Sequence, residues 1–317
     1  MLKIKNLTKV YGDKKAVDNL SLHIRPGEIY GFIGHNGAGK TTTIKSCCGI
    51  LQFEEGEILI DGTSVKEQPL ACKAKPAYIP DNPDLYDFMT GIQFLNFVAD
   101  IFKVGAKERQ ECIRKYADMF ELTEDLAQPI SAYSHGMKQK LAIISALVHE
   151  PKLIIMDEPT SSLSEQETET LFEELQKLRE MGHTIIFISH KLNEIMEVSD
   201  RVTVLRKGKC IGTVETAHTT AEELSAMMVG RNVNFHVEKG PLHTGSEVLS
   251  VEHLTVASKV HKNSAVKDVS FKVRAGEIVC IAGIDGNGQT ELVYALTGLE
   301  PAAGGRITLE GKDITHA

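Results

Sequence analysis

The stretch from Glu28 to Thr41, Glu-Ile-Tyr-Gly-Phe-Ile-Gly-His-Asn-Gly-Ala-Gly-Lys-Thr, decides the fold. Its last eight residues match the pattern G-x-x-x-x-G-K-[ST], whose glycine-rich backbone points amide groups at a phosphate. The apolar run before the loop predicts a buried strand, and the residues from Thr41 to Leu51 predict a helix whose N-terminus adds positive charge. Lys40 and Thr41 are then expected to hold the phosphates and Mg²⁺. The predicted nucleotide contacts here are Gly34, His35, Asn36, Gly37, Ala38, Gly39, Lys40, Thr41 and Thr42.

Composition places the chain among globular proteins. It has 317 residues, 42% of them hydrophobic and 25% charged, which is enough for one large or two ordinary domains. The net charge of −8 gives no support for a nucleic-acid partner. The spacing of the six cysteines indicates neither a metal site nor a disulfide framework, which fits a reducing cytosol. Neither a signal peptide nor an apolar run near the ~20 residues of a membrane span is visible in the sequence.

The sequence repeats itself with an offset of 249 residues, the distance between Gly34 and Gly283. The segment from Ala16 to Thr41 has a similar counterpart from Ala265 to Thr290. Two tandem copies of one domain explain this pattern. Because Ala317 corresponds to Gln68 of the first copy, we expect the chain to be a fragment whose second copy is incomplete.

The second copy of the phosphate loop is degenerate. Gln289 stands where the first loop has Lys40, so the ammonium group that makes the loop a strong triphosphate site is lost. The residues predicted to form this degenerate loop are Gly283, Gly286, Gly288, Gln289 and Thr290.

The domain boundaries follow from the repeat and from composition. We predict an α/β first domain over residues 1–231, with a helical region at about 85–150. Residues 232–246 are polar and contain Gly and Pro, as expected of a linker. Residues 247–317 are predicted to form the N-terminal part of the second, truncated domain.

Three further motifs carry phosphate chemistry. An apolar strand ends in Asp157 and Glu158, where Asp157 is expected to hold Mg²⁺ and Glu158 to orient or deprotonate a water. Ser134 is a candidate N-cap for a helix, and a helix start of this kind is a possible anion site. His190 follows another apolar strand and could sense a γ-phosphate, although such a histidine is usually structural.

In order and spacing these motifs resemble the ATP-binding cassette (ABC) ATPases over essentially the whole chain. The resemblance implies a P-loop NTPase cassette with a mixed sheet core, an antiparallel β subdomain and a helical subdomain, followed by an incomplete second cassette. It assigns Tyr11 to adenine stacking, Gly34–Thr41 to the Walker A loop, Asp81 to the Q-loop, and Ser134–Gln139 to the signature, with Ser134, Gly136 and Gln139 as ATP contacts. It assigns Asp157 and Glu158 to Walker B, Ser161–Ser164 to the D-loop and His190 to the switch histidine.

The same resemblance implies cofactors, partners and location. The cofactors are ATP and Mg²⁺, with Thr41, Asp157 and Asp81 as metal ligands and Glu158, His190 and Asp81 as catalytic residues. The partners are integral membrane permease subunits and a second cassette or ATPase subunit that completes the nucleotide sandwich. The protein is then expected to lie peripherally at the cytoplasmic face of the cell membrane.

Several positions depart from the family pattern. Asp81 replaces the usual glutamine, His135 makes the signature bulkier, and Ser164 replaces the usual aspartate of the D-loop. A carboxylate at position 81 could ligate Mg²⁺, but it also adds negative charge beside the triphosphate.

Four functions remain open at this point. The tandem arrangement and the segment Met228–Arg231 favour an ATPase subunit of a sugar or nucleoside importer. The segment Ala77–Asp81 resembles ATPases of drug or ABC-2-type exporters. A ribosome-associated tandem-cassette protein is less favoured, because residues 232–246 are too short for its charged helical linker. A nucleotide-binding module without hydrolysis fits Gln289 but not Glu158 and His190.

Overall fold

The computed structural model describes residues 1–161, 163–231, 243–257, 264–283 and 287–316. The chain divides into two compact units, residues 1–235 and 236–317. Most of the predicted linker, residues 232–242, lies outside the described residues, as do Ser162 and Gly286.

The first unit is built from strands and helices that alternate after an initial hairpin. Its strands are β1 (Leu2–Tyr11), β2 (Lys14–Ile24), β3 (Ile29–Ile33), β4 (Glu55–Ile60), β5 (Thr63–Ser64), β6 (Pro76–Ile79), β7 (Leu153–Asp157), β8 (Thr184–Ile188), β9 (Arg201–Arg206) and β10 (Lys209–Glu215). Its helices are α1 (Lys40–Cys47), α2 (Pro69–Lys73), α3 (Gly91–Ile101), α4 (Ala106–Met119), α5 (His135–Leu147), α6 (Glu165–Glu180), α7 (Leu192–Val198) and α8 (Ala221–Val229), with 3-10 turns at Thr123–Asp125, Ile130–Ala132 and Thr216–His218.

Two sheets organise the first unit. The larger has the order β10-β9-β3-β8-β7-β6, in which all neighbours are parallel except the β9–β10 hairpin. The smaller sheet, β2-β1-β4-β5, is antiparallel. The predicted mixed core and antiparallel β subdomain are thus present, and α3, α4 and α5 form the helical region.

The central strands of the larger sheet are buried on both faces, which explains their continuous apolar sequences. In β3, Ile29 and Ile33 face the core that includes the helical region, whereas Tyr30 and Phe32 face the core shared with α1 and the antiparallel sheet. Side chains of alternating direction along a strand account for this division. The sheet therefore holds its loops between two packed layers.

Sequence-based predictions of the elements are largely confirmed. The alternating pattern over residues 1–30 forms β1 and β2, and the predicted strands and hairpin at β7, β8, β9 and β10 are present. Helix α1 is shorter than predicted: it ends at Cys47 instead of reaching Leu51, because Gly49 adopts a left-handed conformation with φ 65°.

The second unit repeats the order of β1, β2, α1, β4 and β5 of the first, and its last three elements have the same bounds with the offset of 249 residues. It contains β11 (Glu247–Ala257), β12 (Ser264–Arg274), α9 (Gln289–Leu296), β13 (Gly304–Leu309) and β14 (Lys312–Asp313). Its antiparallel sheet has the order β12-β11-β13-β14, the same arrangement as β2-β1-β4-β5. A small core of its own includes Val251, Leu254, Leu292 and Ile307.

The stretch that corresponds to β3 differs between the two units. Residues 278–282 form no strand, and Ile278 is 96% exposed whereas Ile29 is fully buried. In the first unit β8 and β9 pair with both edges of β3, and the described residues of the second unit include no such partner strands. An apolar sequence alone does not fix a strand, because its backbone groups need hydrogen-bond partners.

No helix within the described residues has both the length and the apolar character needed to cross a membrane.

Candidate functional site

The candidate site lies at the carboxyl ends of four parallel strands. The loop from Gly34 to Gly39 follows β3, Asp81 follows β6, Asp157 ends β7, and His190 follows β8. Parallel strands present their carboxyl ends at one edge of a sheet, which is where α/β proteins bind ligands. Residues far apart in sequence therefore meet here, in an open pocket of about 340 Å³ lined by His35, Asn36, Gly37, Ala38, Gly39, Lys40, Thr41, Thr42, Asp81, Asp157 and Glu158.

Glycines shape the loop by close approach and by backbone conformation. A methyl group on Gly34 would lie 2.4 Å from the carbonyl oxygen of Leu205, and one on Gly39 would lie 2.5 Å from that of Ala16. Gly37 and Gly39 have φ angles of 80° and 104°, which residues with a Cβ rarely adopt. The loop consequently curves around the pocket and leads into the N-terminus of α1 at Lys40.

Lys40 places a buried cation at the centre of the pocket. Only 6% of it is exposed, and its Nζ donates a hydrogen bond of 2.6 Å to the carbonyl oxygen of Gly34. The same Nζ lies 3.8 Å from Glu158 Oε1. Burial lowers the pKa of Lys40, while the charges of Glu158 and Asp157 act in the opposite direction. The ammonium group is thus held where phosphate oxygens would approach the loop.

Asp157 is a buried carboxylate beside the first turn of α1. It accepts hydrogen bonds from Thr41 Oγ1 at 3.2 Å and from the Tyr78 hydroxyl at 3.4 Å. Burial raises the pKa of Asp157, and its hydrogen bond from Thr41 and the charge of Lys40 oppose that change. A carboxylate and a hydroxyl at this separation are the oxygen donors that Mg²⁺ takes together with substrate phosphates. The residues present therefore fit the metal.

Glu158 connects Lys40 with His190. Its Oε2 lies 2.8 Å from His190 Nδ1 and accepts a hydrogen bond of 3.3 Å from the His190 backbone amide. Its backbone has φ 49°, an unusual angle for a residue with a Cβ, and its amide donates to Ile188 O at 2.9 Å. The Glu158 carboxylate lines the pocket, where it can orient a water molecule or take a proton from it.

Asp81 joins the pocket from the other side of β7. Its Oδ1 accepts a hydrogen bond from Ser161 Oγ, and the Ser161 amide donates to Glu158 O at 3.1 Å. Two loops that the sequence separates by 80 residues are thus linked beside the pocket.

Other predicted site residues are not among those that line this pocket. Tyr11 ends β1 and is 49% exposed, with Lys9 Nζ 5.2 Å from its ring centroid. Ser134 caps α5 by accepting a hydrogen bond of 3.2 Å from the Met137 amide. This pocket, which we call the Walker A pocket after the loop that forms most of its wall, is lined neither by Tyr11 nor by the signature residues Ser134, Gly136 and Gln139.

The sequence reasoning missed two contributors. Tyr78 reaches Asp157 from the neighbouring strand β6, and its position directly before the last residue of that strand gave no signal of this contact. Glu167 of α6 lies against the signature: a methyl group on Gly136 would be 2.1 Å from its Oε1. The capping pattern from Ser164 to Glu167 was visible in the sequence, but its packing against α5 was not.

The second loop resembles the first where it leads into its helix, but its surroundings differ. Gly288 has φ 87° and precedes α9, which begins with Gln289 and Thr290. The Gln289 amide lies close to Gly283, since a methyl group there would be 2.5 Å from Gln289 Nε2. Among the described residues of this unit, no strand corresponds to β7, the strand that leads to Asp157 and Glu158 in the first unit.

Comparison with known families agrees with this geometry. The family model described as ABC transporter matches residues 17–161 and 266–317, and the chain belongs to this family of P-loop proteins. The resemblance inferred from the motifs is thereby confirmed.

Curated relatives come from several microorganisms. The chain is 33% identical to the glucose import ATP-binding protein TsgD13 of Haloferax volcanii, matching 100% of the chain and 63% of that protein. It is 36% identical to the nucleoside import ATP-binding protein NupA of Lactococcus lactis, with 98% and 62% covered, and 34% identical to the xylose import ATP-binding protein XylG of Shigella flexneri, with 99% and 63% covered. The chain thus spans about 63% of the length of these relatives.

Solved structures confirm the fold of the cassette. An ATP-binding subunit of an ABC transporter is 27% identical, with a TM-score of 0.67 and coverage of 72% of this chain and 99% of that one. A dimeric cassette in a post-hydrolysis state bound to ADP and Pi is 25% identical, with a TM-score of 0.62 and coverage of 68% and 99%.

Proposed function

We propose that this chain binds ATP with Mg²⁺ and hydrolyses it, to energise a membrane permease that imports a simple sugar or a nucleoside. The observation that carries the proposal is the meeting of Lys40, Thr41, Asp157 and Glu158 in one pocket. A cation, a metal-binding oxygen pair and a candidate base are the parts that phosphoryl transfer to water requires.

Each residue has a distinct part in this proposal. The loop amides and Lys40 bind the phosphates, and Thr41, Asp157 and Asp81 hold Mg²⁺, which when bound neutralises charge on the phosphates. Glu158 orients the attacking water and accepts its proton, and His190 holds the Glu158 carboxylate by their contact of 2.8 Å. Tyr11 is proposed to stack on adenine, for which its exposed ring is suited.

The import function is supported by the relatives named above, which are sugar and nucleoside import ATP-binding proteins. An importer subunit of this type acts with integral membrane permease subunits at the cytoplasmic face of the membrane. The exporter hypothesis rested on the motif Ala77–Asp81 and receives no support from these names.

We further propose that turnover requires a second cassette. The signature residues Ser134, Gly136 and Gln139 lie outside the Walker A pocket of the same chain. They would complete the nucleotide site of another cassette, while the degenerate loop with Gln289 contributes little binding of its own. We therefore expect the rate of ATP hydrolysis per protein molecule to rise with protein concentration.

The test is Glu158→Gln, which removes the carboxylate but keeps the size of the side chain. We expect the variant to bind Mg·ATP within about threefold of the parent and to lose at least about 99% of its hydrolysis rate. Calorimetric ATP titration and phosphate release measure the two effects separately. The matched control is Glu165→Gln, which makes the same replacement of a carboxylate by a carboxamide at an exposed residue at the start of α6. Full hydrolysis by the Glu158 variant would mean that another group is the base.

A further inference from the structure

The Walker A pocket carries an excess of negative charge. Asp81, Asp157 and Glu158 all line it, and Lys40 is the one lysine or arginine among the lining residues of the described pocket. That single ammonium group already donates to Gly34 O and lies 3.8 Å from Glu158. Three carboxylates against one ammonium group make the pocket unfavourable for a free triphosphate, which carries several negative charges of its own.

Of the three carboxylates, Asp81 is the one for which the structure describes no charge interaction with Lys40. Lys40 lies 3.8 Å from Glu158, and the charges of Lys40 and Asp157 also act on each other. The described contact of Asp81 is with the neutral hydroxyl of Ser161, which fixes the carboxylate at the pocket without cancelling its charge. Burial is the main cause that raises the pKa values of Asp157 and Tyr78, and the charge of Asp81 adds a smaller rise to both, so that charge reaches the metal-binding end of the pocket.

A divalent cation reverses the sign of this effect. Without Mg²⁺ the Asp81 charge repels the triphosphate, whereas with Mg²⁺ it offers a further oxygen to a cation that binds through one or two carboxylates and substrate phosphates. Resting on the proposed ATP-binding function, we infer that Asp81 makes nucleotide binding by this cassette strictly dependent on a divalent cation. Asp81 is therefore a determinant of metal dependence as well as a residue of the pocket wall.

The experiment compares ATP affinity in excess Mg²⁺ and in EDTA by calorimetry on the full chain, so it needs no turnover. The measured quantity is a ratio, the dissociation constant for ATP in EDTA divided by the dissociation constant in excess Mg²⁺. In Asp81→Asn, which keeps the shape of the side chain and an oxygen to accept from Ser161, we expect this ratio to fall at least about tenfold. Metal-free binding tightens and Mg-supported binding weakens.

Two further variants separate the charge from other effects. Asp84→Asn removes a nearby exposed charge that does not line the pocket, and it is expected to leave the ratio within about twofold. Ser161→Ala removes the hydrogen bond but keeps the Asp81 charge, and it is also expected to leave the ratio within about threefold.

The outcomes are distinguishable. If the parent chain binds no ATP even with Mg²⁺, the proposed function itself fails. If the parent binds but Asp81→Asn leaves the ratio unchanged, the function stands and the inference is overturned. An equally large change in Asp84→Asn also overturns it, because the effect would then come from general charge near the pocket.

Discussion

The two copies of the phosphate loop have similar sequences but different surroundings. In the first unit the loop follows a strand with all five residues buried, Lys40 lies 3.8 Å from Glu158, and Thr41 donates a hydrogen bond to Asp157. In the second unit the corresponding stretch forms no strand, and Gln289 replaces the lysine. The helix and antiparallel sheet bounds nevertheless repeat, α1 as α9 and β4 as β13. The comparison teaches that the helix and the antiparallel sheet form from residues that both copies contain, whereas a working loop also needs the neighbouring strands described in the first unit.

The hydrogen bonds of two equivalent glutamates illustrate this division. Glu28 accepts from the amide of Arg25 at 2.6 Å, and Glu277 accepts from the amide of Arg274 at 2.8 Å. Only Glu28 is also paired with Arg201, through contacts of 2.6 Å and 3.0 Å. The turn is thus a local property, and the ion pair comes from the strand β9 that packs beside it.

Removing the lysine should produce the largest contrast between the copies. We expect Lys40→Ala to weaken Mg·ATP binding by about a hundredfold or more, because the buried ammonium group is lost from the phosphate pocket. The matched change Gln289→Ala should alter binding by less than about twofold. ATP titration of both full-length variants measures the contrast, and unchanged affinity in the Lys40 variant would count against the assignment of the site.

The apolar stretch that precedes each loop gives the next contrast, this time in stability. Ile29→Ala removes a fully buried side chain and should destabilise the first unit by about 2–4 kcal/mol. Ile278→Ala changes a side chain that is 96% exposed and should cost less than about 0.5 kcal/mol. Amide hydrogen exchange resolved by peptide reports each unit separately. Equal effects in the two variants would show that both stretches are packed alike.

The ion pair beside the first loop offers a smaller effect. We expect Arg201→Met to destabilise the first unit by about 2 kcal/mol, since Glu28 is left nearly buried without its partner. Glu277→Gln in the second unit should stay within about 0.5 kcal/mol. Urea unfolding, monitored in each unit by hydrogen exchange, measures the effects of the two variants separately. A Glu28→Gln/Arg201→Met double variant should recover part of the loss, and no recovery would contradict the assignment of the penalty to the unpaired carboxylate.

A histidine in the helical region gives the smallest effect and depends on pH. His149 stacks on Phe102 with ring centroids 3.9 Å apart, and burial lowers its pKa from 6.5 to about 4. Because the folded pKa lies below the unfolded one, its contribution is present above pH 6.5 and is lost as pH falls toward 4. His149→Phe keeps the ring stack but cannot take up a proton. Between pH 7 and 4.5 the variant should therefore lose about 1 kcal/mol less of its free energy of unfolding than the parent loses. Parallel profiles of parent and variant over this range would exclude the effect.

Much of the cassette could be predicted from the sequence because its signals are local. The loop from Gly34 to Thr41 identifies itself by glycine spacing, and the apolar runs at β7 and β8 identify strands buried on both faces. The contacts of Asp81 with Ser161 and of Tyr78 with Asp157 could not be predicted, because each joins residues about 80 positions apart. They depend on β6 lying beside β7, and a single strand sequence does not encode its neighbour.

By itself the sequence determined the family, the repeat and the chemical types of residue available for phosphate binding. It also determined the turn at Gly39, where the backbone conformation requires a residue without a Cβ. Only the tertiary structure decided which of two similar stretches becomes a strand and which carboxylates face Lys40. The physical reason is that strand pairing and charge placement depend on groups brought from distant parts of the chain. In the first unit β8, β9 and Glu158 supply these groups, and the described residues of the second unit include no strands that correspond to β8 and β9.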